Sequence, residues 1–325
     1  MKSVLIIEPF DAAGIRLLDA RSDVTYEVVD SVSSPGFEEK LMTAEAVTLR
    51  MTPFGEGLIS KAPNLHIVSR HGVGYDTVDV SALSKRGIPL AVVGDVNAIA
   101  VAEHTLCLIL ALARQLPRYD QAVRTGDFAF RTSASSIELD GKTILLIGYG
   151  RIGRVVAKRC LAFGMKVLTT DPAVEHTQIE ADGCVPISKI TEALGDADFV
   201  SLHAPLTPDT RGLVSREMFN RMKPTAYLIN TARGGEVDEL ALVEALEQGQ
   251  IAGAALDVFA PQPPRPDNPL LSRSDVILTP HSAGMTRECA RRIAIDCVQN
   301  VLDAFDGKLA PEKVINKDVL EKFGP

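Results

Sequence analysis

ILLIGYGRIGRVVAKRC, residues Ile144 to Cys160, decides how the chain is read. An apolar run of strand character enters a Gly-x-Gly-x-x-Gly turn at Gly148, Gly150 and Gly153, and a helical pattern leaves it. The first glycine permits the tight turn, the second lets a pyrophosphate approach the backbone, and the third allows helix and strand to pack closely. Arg151 and Ile152 stand in the first helical turn, where the amide groups attract a phosphate. The next strand, KVLTTD, ends in Asp171, placed to bond the ribose hydroxyls of a dinucleotide. A carboxylate there repels a ribose phosphate, and no arginine follows in DPAVEH, so the pattern predicts NAD rather than NADP.

Working outward, strand-like and helical runs alternate along the whole chain, as parallel sheets built from βαβ units require. VLIIE, TYEVV, AVTLR, HIVSR and IPLAVV precede residue 95, with helices between them near Ala12 to Ala20 and Phe37 to Thr43. ILLIG, KVLTT, FVSLH, AYLIN, GAALDV and VILTP form a second series. Between the two lies one long helical pattern, AIAVAEHTLCLILALARQLPRYDQAVRTG, apolar enough to be buried on several sides. The helical run from Met285 to Phe305 is too short for a domain and is expected to return to the first one. The expected fold is α/β with two doubly wound parallel sheets. An outer domain spans residues 1–97 and 286–325, and an inserted domain spans 98–285.

With 325 residues, 46% hydrophobic, the chain is long enough for two cores. A net charge of −8 disfavours nucleic acid and anionic membranes as partners. Five scattered cysteines without a Cys-x-x-Cys pair suit buried thiols in a reducing compartment, and no metal-ligand spacing is present. MKSVLIIEPF reads as a first strand rather than a signal segment, so the cytoplasm is the expected location.

Three later stretches carry chemistry: HAPLTPDTRGLV (203–214), INTARGGEVDE (229–239) and LTPHSAG (278–284). Together with GYGRIG, RHGVGYDTVD and VNAIAVAEHT, they resemble the D-isomer-specific 2-hydroxyacid dehydrogenases, the family of phosphoglycerate, glycerate and D-lactate dehydrogenases and, more distantly, formate dehydrogenase. The resemblance implies a Rossmann NAD-binding domain inserted into a flavodoxin-like substrate domain that closes over a small D-2-hydroxy or 2-keto acid. It also implies a homodimer, with the long helix after Asn97 as a candidate interface.

Residue by residue, the resemblance implies that Arg233 holds the substrate carboxylate and polarises the carbonyl, a task that suits a planar fork of donors. His281 takes the hydroxyl proton in one direction and returns it in the other. Cofactor contacts fall on His203, Ala204, Pro205, Thr210, Thr231, Ala232 and Gly284, and on Asp257, which matches the acid that bonds the nicotinamide carboxamide. Arg70, His71, Gly72 and Val73 form a loop whose amides can receive a carboxylate, while Arg50 matches a position that binds a distal anionic group. His66, His104 and His176 stand in no catalytic motif and read as structural.

The pattern breaks after DVF. Most members carry a glutamate that partners the catalytic histidine, and here DVFAPQPPRPDNP aligns Gln262 with it. An amide bonds an imidazole without contributing a full charge, so His281 is expected to be more readily neutral than in those members. Formate dehydrogenases also pair glutamine with histidine and have a counterpart of Asn97, which makes formate oxidation the alternative; RHGVGYDTVD favours the hydroxyacid reading. NAD-sensing transcriptional corepressors share the fold and are the reading outside enzymology.

Overall fold

Val4 to Ile7 are buried on both faces, the pattern of a parallel strand covered by helices on either side. The structure, a computed structural model, describes residues 1–133 and 135–322, so the last three residues of the expected outer domain lie outside them. The chain divides into two compact units, residues 1–97 with 285–325, and residues 98–284. The second crossing falls one residue before the expected boundary.

In the first unit, β1 (Lys2–Ile7), β2 (Val24–Val29), β3 (Ala46–Leu49), β4 (Ile67–Arg70) and β5 (Leu90–Val92) form a parallel sheet in the order β2-β1-β3-β4-β5. That is the flavodoxin-like order. The helix Arg287–Phe305 returns to this unit and packs on the helix Ala12–Asp19 and on β4. Gly14 allows the approach, since a Cβ there would lie 2.8 Å from the Ala294 carbonyl oxygen. Ser69 ties the same helix to β4 by donating to the Cys297 carbonyl at 2.8 Å. Two apolar clusters, one around Leu41, Val47 and Val68 and one around Ile6, Ile67 and Val298, fill the two faces.

In the second unit, β6 (Thr143–Ile147), β7 (Lys166–Thr170), β8 (Val185–Pro186), β9 (Phe199–Leu202), β10 (Tyr227–Asn230), β11 (Gly253–Leu256) and β12 (Val276–Leu278) are also parallel. Their order is β12-β11-β10-β9-β6-β7-β8, the Rossmann order with one further strand. The direction of strand addition reverses between β6 and β9, and ligands bind open α/β sheets beyond the strand ends at such a point.

The long helical pattern is two helices. Ala98–Ala113 packs against β10, β11 and the helix Arg151–Ala162, and Leu116–Arg124 leaves it at a bend of 59°. The break lies at Gln115, in the left-handed region at φ 49°, and Pro117 starts the second helix where a missing N–H costs nothing. Among the described residues no single helix is long and apolar enough to cross a membrane.

Candidate active site

The glycine turn closes β6 and is held by its neighbours' backbone. Gly148 has φ +102°, and a Cβ on it would lie 2.6 to 2.7 Å from backbone atoms of His203 and Ala204. A Cβ on Gly153 would overlap the Gly148 carbonyl oxygen, whereas one on Gly150 would meet open space. Gly148 and Gly153 therefore bring strand, turn and helix together, and Gly150 leaves room in front of the helix. The helix Arg151–Ala162 has no side-chain cap, so its first amides face that space. A pyrophosphate fits this cradle.

Asp171 follows β7, and its two oxygens accept from the amides of Tyr149 (2.8 Å) and Ala173 (2.9 Å). The carboxylate is thereby aimed, with lone pairs left for ribose hydroxyls. On the other side of the turn, His203 bonds Ser201 Oγ at 2.9 Å through Nε2, while its Nδ1 is buried without a partner. Burial pushes this imidazole down to about 4, so it is neutral at working pH. Ala204 and Pro205 follow, and Thr210 fixes their loop by donating to the Pro205 carbonyl at 2.6 Å.

Because β9, β10, β11 and β12 follow one another outward from β6 in one parallel sheet, the loops after them share one sheet edge. After β10, the buried Asn230 staples a turn, donating to the Arg233 carbonyl at 2.8 Å and accepting from the Ala232 amide at 2.9 Å. Thr231 is locked by a 2.9 Å bond to Thr105. Arg233 opens the next turn, with its amide on the carboxylate of the buried Glu236 at 3.1 Å and Nη1 on the Ala232 carbonyl at 2.7 Å. A Cβ on Gly234 would overlap the Phe259 backbone, so this turn sits directly against the loop after β11. Glu236 escaped the sequence reading, although an acid three residues after a turn-opening residue is a capping-box spacing.

That next loop carries Asp257 and Gln262, and the loop after β12 carries His281. The backbone of His281 is left-handed, φ 53°, a conformation that costs about 1 kcal/mol or more and persists only where neighbours impose it. The His281 amide donates to the Asp257 carbonyl at 2.8 Å. The Asp257 carboxylate, 0% exposed, accepts from Thr279 Oγ1 (2.5 Å) and the amides of Ser282 (2.8 Å) and Ala283 (3.0 Å). Gln262 places its amide 2.7 Å from His281 Nδ1. Gly284 ends the loop and the unit. Thr279 was not singled out in the sequence, because its role depends on a contact with Asp257 that only the fold creates.

In the first unit, Glu8, Arg50 and the loop Arg70 to Val73 end neighbouring strands. Glu8 Oε2 accepts from the amides of Arg50 (3.0 Å), Met51 (2.7 Å) and Thr52 (3.1 Å), which shapes the turn after β3. The Arg50 guanidinium reaches the Pro9 carbonyl at 3.2 Å. Arg70 is folded under its own loop, with Nη1 on the His71 carbonyl at 2.7 Å. His71, 8% exposed, stacks on Phe10 at 5.2 Å between centroids, and its Nε2 is buried without a partner. Burial first, and then Arg50 and Arg70, push His71 down to about 3, so it is neutral. Asn97 ends this unit, next to Val96, whose carbonyl accepts two bonds from Arg292. Among the described residues no cluster of His, Cys, Asp and Glu side chains could hold a metal ion.

Comparison with known proteins finds relatives along the whole chain. Residues 106–283 match the profile of the D-isomer specific 2-hydroxyacid dehydrogenase, NAD binding domain. A D-3-phosphoglycerate dehydrogenase of Methanocaldococcus jannaschii is 38% identical over the whole of this chain, which covers 62% of that relative. The chain spans about half to three fifths of the length of the curated relatives it matches. Among solved structures, a D-lactate dehydrogenase from Aquifex aeolicus, complexed with NAD and lactic acid, superposes with TM-score 0.87 at 32% identity, covering 96% of this chain and 99% of that one. A NAD-dependent formate dehydrogenase from Staphylococcus aureus, in complex with NAD, gives TM-score 0.86 at 28% identity, covering 96% and 98%.

Proposed function

The chain belongs to the D-isomer-specific 2-hydroxyacid dehydrogenase family, and from that premise we propose that it catalyses hydride transfer between NAD and C2 of a small polar or anionic D-2-hydroxy or 2-keto acid. The observation that carries the reading is His281 held through Nδ1 by Gln262 at 2.7 Å, on the sheet edge that also carries Arg233 and the glycine turn.

When bound, the dinucleotide supplies the hydride acceptor or donor. Arg233 holds the substrate carboxylate and polarises the carbonyl, with Asn230 and Glu236 fixing its turn. As an alcohol is oxidised, the hydride leaves C2 and the hydroxyl proton passes to His281 Nε2; reduction of the ketone runs both transfers backwards. The side-chain amide of Gln262 can present either its carbonyl to an Nδ1–H or its NH2 to a bare Nδ1. It can therefore hold the ring in both protonation states without contributing a charge. Asp171 favours NAD over NADP by repelling a ribose phosphate.

In the first unit we assign Gly72, Val73 and the Arg70 loop to the substrate carboxylate, and Arg50 to a distal polar or anionic group, with neutral His71 beside it. This favours glycerate, hydroxypyruvate or a phosphorylated relative over a bulky apolar acid. Asn97 is assigned to the substrate by the same resemblance. A homodimer in the cytoplasm completes the reading; free thiols at all five cysteines suit a reducing compartment, and a charge of −8 suits small-molecule rather than nucleic-acid partners.

Gln262 also favours a second reading, formate oxidation, which moves a hydride without a proton acceptor. Assays of NADH oxidation with glyoxylate, hydroxypyruvate, pyruvate and phosphohydroxypyruvate, beside formate with NAD, separate the two. Turnover of a keto acid, highest with a polar or anionic side chain, is expected; formate turnover alone would overturn the hydroxyacid reading, and no turnover at all would favour a sensor.

A further inference from the structure

We propose that His104 is a positioning residue of the His281 loop, acting through Thr279 and Asp257. His104 lies within the apolar helix Ala98–Ala113, with its side chain 22% exposed. Its Nε2 is 3.1 Å from Thr279 Oγ1 and 3.6 Å from Asp257 Oδ1. No sequence pattern points to this contact, since 175 residues separate His104 from Thr279.

The direction of these bonds follows from counting protons. Thr279 Oγ1 lies 2.5 Å from Asp257 Oδ1, a distance at which a proton must stand between the oxygens or their lone pairs would oppose each other. A threonine hydroxyl has one proton, so toward His104 it can only accept. His104 therefore carries its proton on Nε2. The result is a one-way chain, from imidazole N–H to hydroxyl to carboxylate, in which each bond polarises the next.

The end of that chain is the clamp on the His281 loop. Thr279, Ser282 and Ala283 all donate to the Asp257 carboxylate, and the His281 amide donates to the Asp257 carbonyl. These bonds hold His281 in its left-handed conformation. Gln262 touches the ring but brings no charge, so the carboxylate that organises this loop is Asp257, and His104 Nε2 stands 3.6 Å from it. The inference concerns positioning of the proposed proton shuttle, and its kinetic arm alone rests on the hydride-transfer reading.

The test combines an activity-independent readout with kinetics on the full chain. Long-range 1H–15N NMR should show His104 protonated at Nε2 with a bare or protonated Nδ1; the Nδ1–H tautomer would overturn the proposal whether or not the enzyme turns over. Amide exchange at Ser282 and Ala283 should quicken about tenfold in His104→Leu and in Thr279→Val, and return toward wild type in His104→Gln, whose amide reaches about where Nε2 stood. In keto-acid reduction, kcat should fall about tenfold to a hundredfold in His104→Leu with the KM for NADH within about twofold, and recover in His104→Gln. A histidine that merely fills space would change the melting temperature while leaving exchange at residues 282–283 and kcat unaltered, and that result would refute the proposal. If wild type reduces no keto acid, the hydroxyacid reading fails, while the tautomer and exchange results still decide the role of His104.

Discussion

Both units end a parallel strand in a glycine loop, but different neighbours guard the two glycines. A methyl group on Gly148 would strike the backbone of His203 and Ala204 at 2.6 to 2.7 Å. One on Gly72, at φ +152°, would meet the far end of the Arg70 side chain, Nη1 at 2.8 Å. Backbone cannot give way, whereas a guanidinium can swing. The contrast suits the parts assigned to them: the dinucleotide is constant and can be met by a rigid cradle, while a loop that receives the substrate carboxylate can shift as the rest of the substrate changes.

The largest expected effect tests the rigid side. Gly148→Ala combines a left-handed backbone with a backbone clash, together about 3 kcal/mol, so NADH should bind roughly a hundredfold more weakly in a fluorescence titration. Gly72→Ala should be milder, raising the KM for the keto acid by about tenfold while leaving the NADH Kd unchanged, because Arg70 can move. Equal damage to NADH binding from both substitutions would break the comparison.

A smaller effect concerns pH. His71 titrates at about 3 when folded, below its ordinary value of 6.5, because it is buried beside Arg50 and Arg70. Between those two values the unfolded chain binds a proton that the folded chain does not. The contribution of His71 is therefore complete above about pH 6.5 and is lost as the pH falls toward 3. His71→Phe keeps a ring against Phe10 and should flatten this acid loss, gaining about 1 kcal/mol near pH 4.5 in urea unfolding and little at pH 7. His203, pushed down to about 4, leaves part of the slope in place.

The residues legible in the sequence are those at strand ends. Gly148, Asp171, Arg233, Asp257 and His281 each follow a short, largely apolar run of the kind a parallel strand buried on both faces requires, and the strand order then gathers them on one edge. Residues that work through side-chain contacts and stand in no motif were not legible. His104 reads as one polar position in an apolar helix, and Glu236 as a loop acid, until folding brings each to its partner. Local structure escaped for simpler reasons. The helix after Asn97 kept its apolar period up to Gln115, so the bend there was carried only by the Leu-Pro that follows. β8 is two residues long and contains Pro186, too short for any periodic signal and tolerable only at an edge.

The most direct measurement of the central claim, that His281 moves the proton with an uncharged partner, is the pH dependence of NADH-driven keto-acid reduction in wild type and Gln262→Glu, compared between about pH 6 and about pH 9. A carboxylate at hydrogen-bond distance from Nδ1 favours the imidazolium that donates the proton. The profile of the variant should therefore extend to higher pH by about one unit. Identical profiles would show that His281 is not the group that titrates in the reaction, and the account would be wrong at its centre.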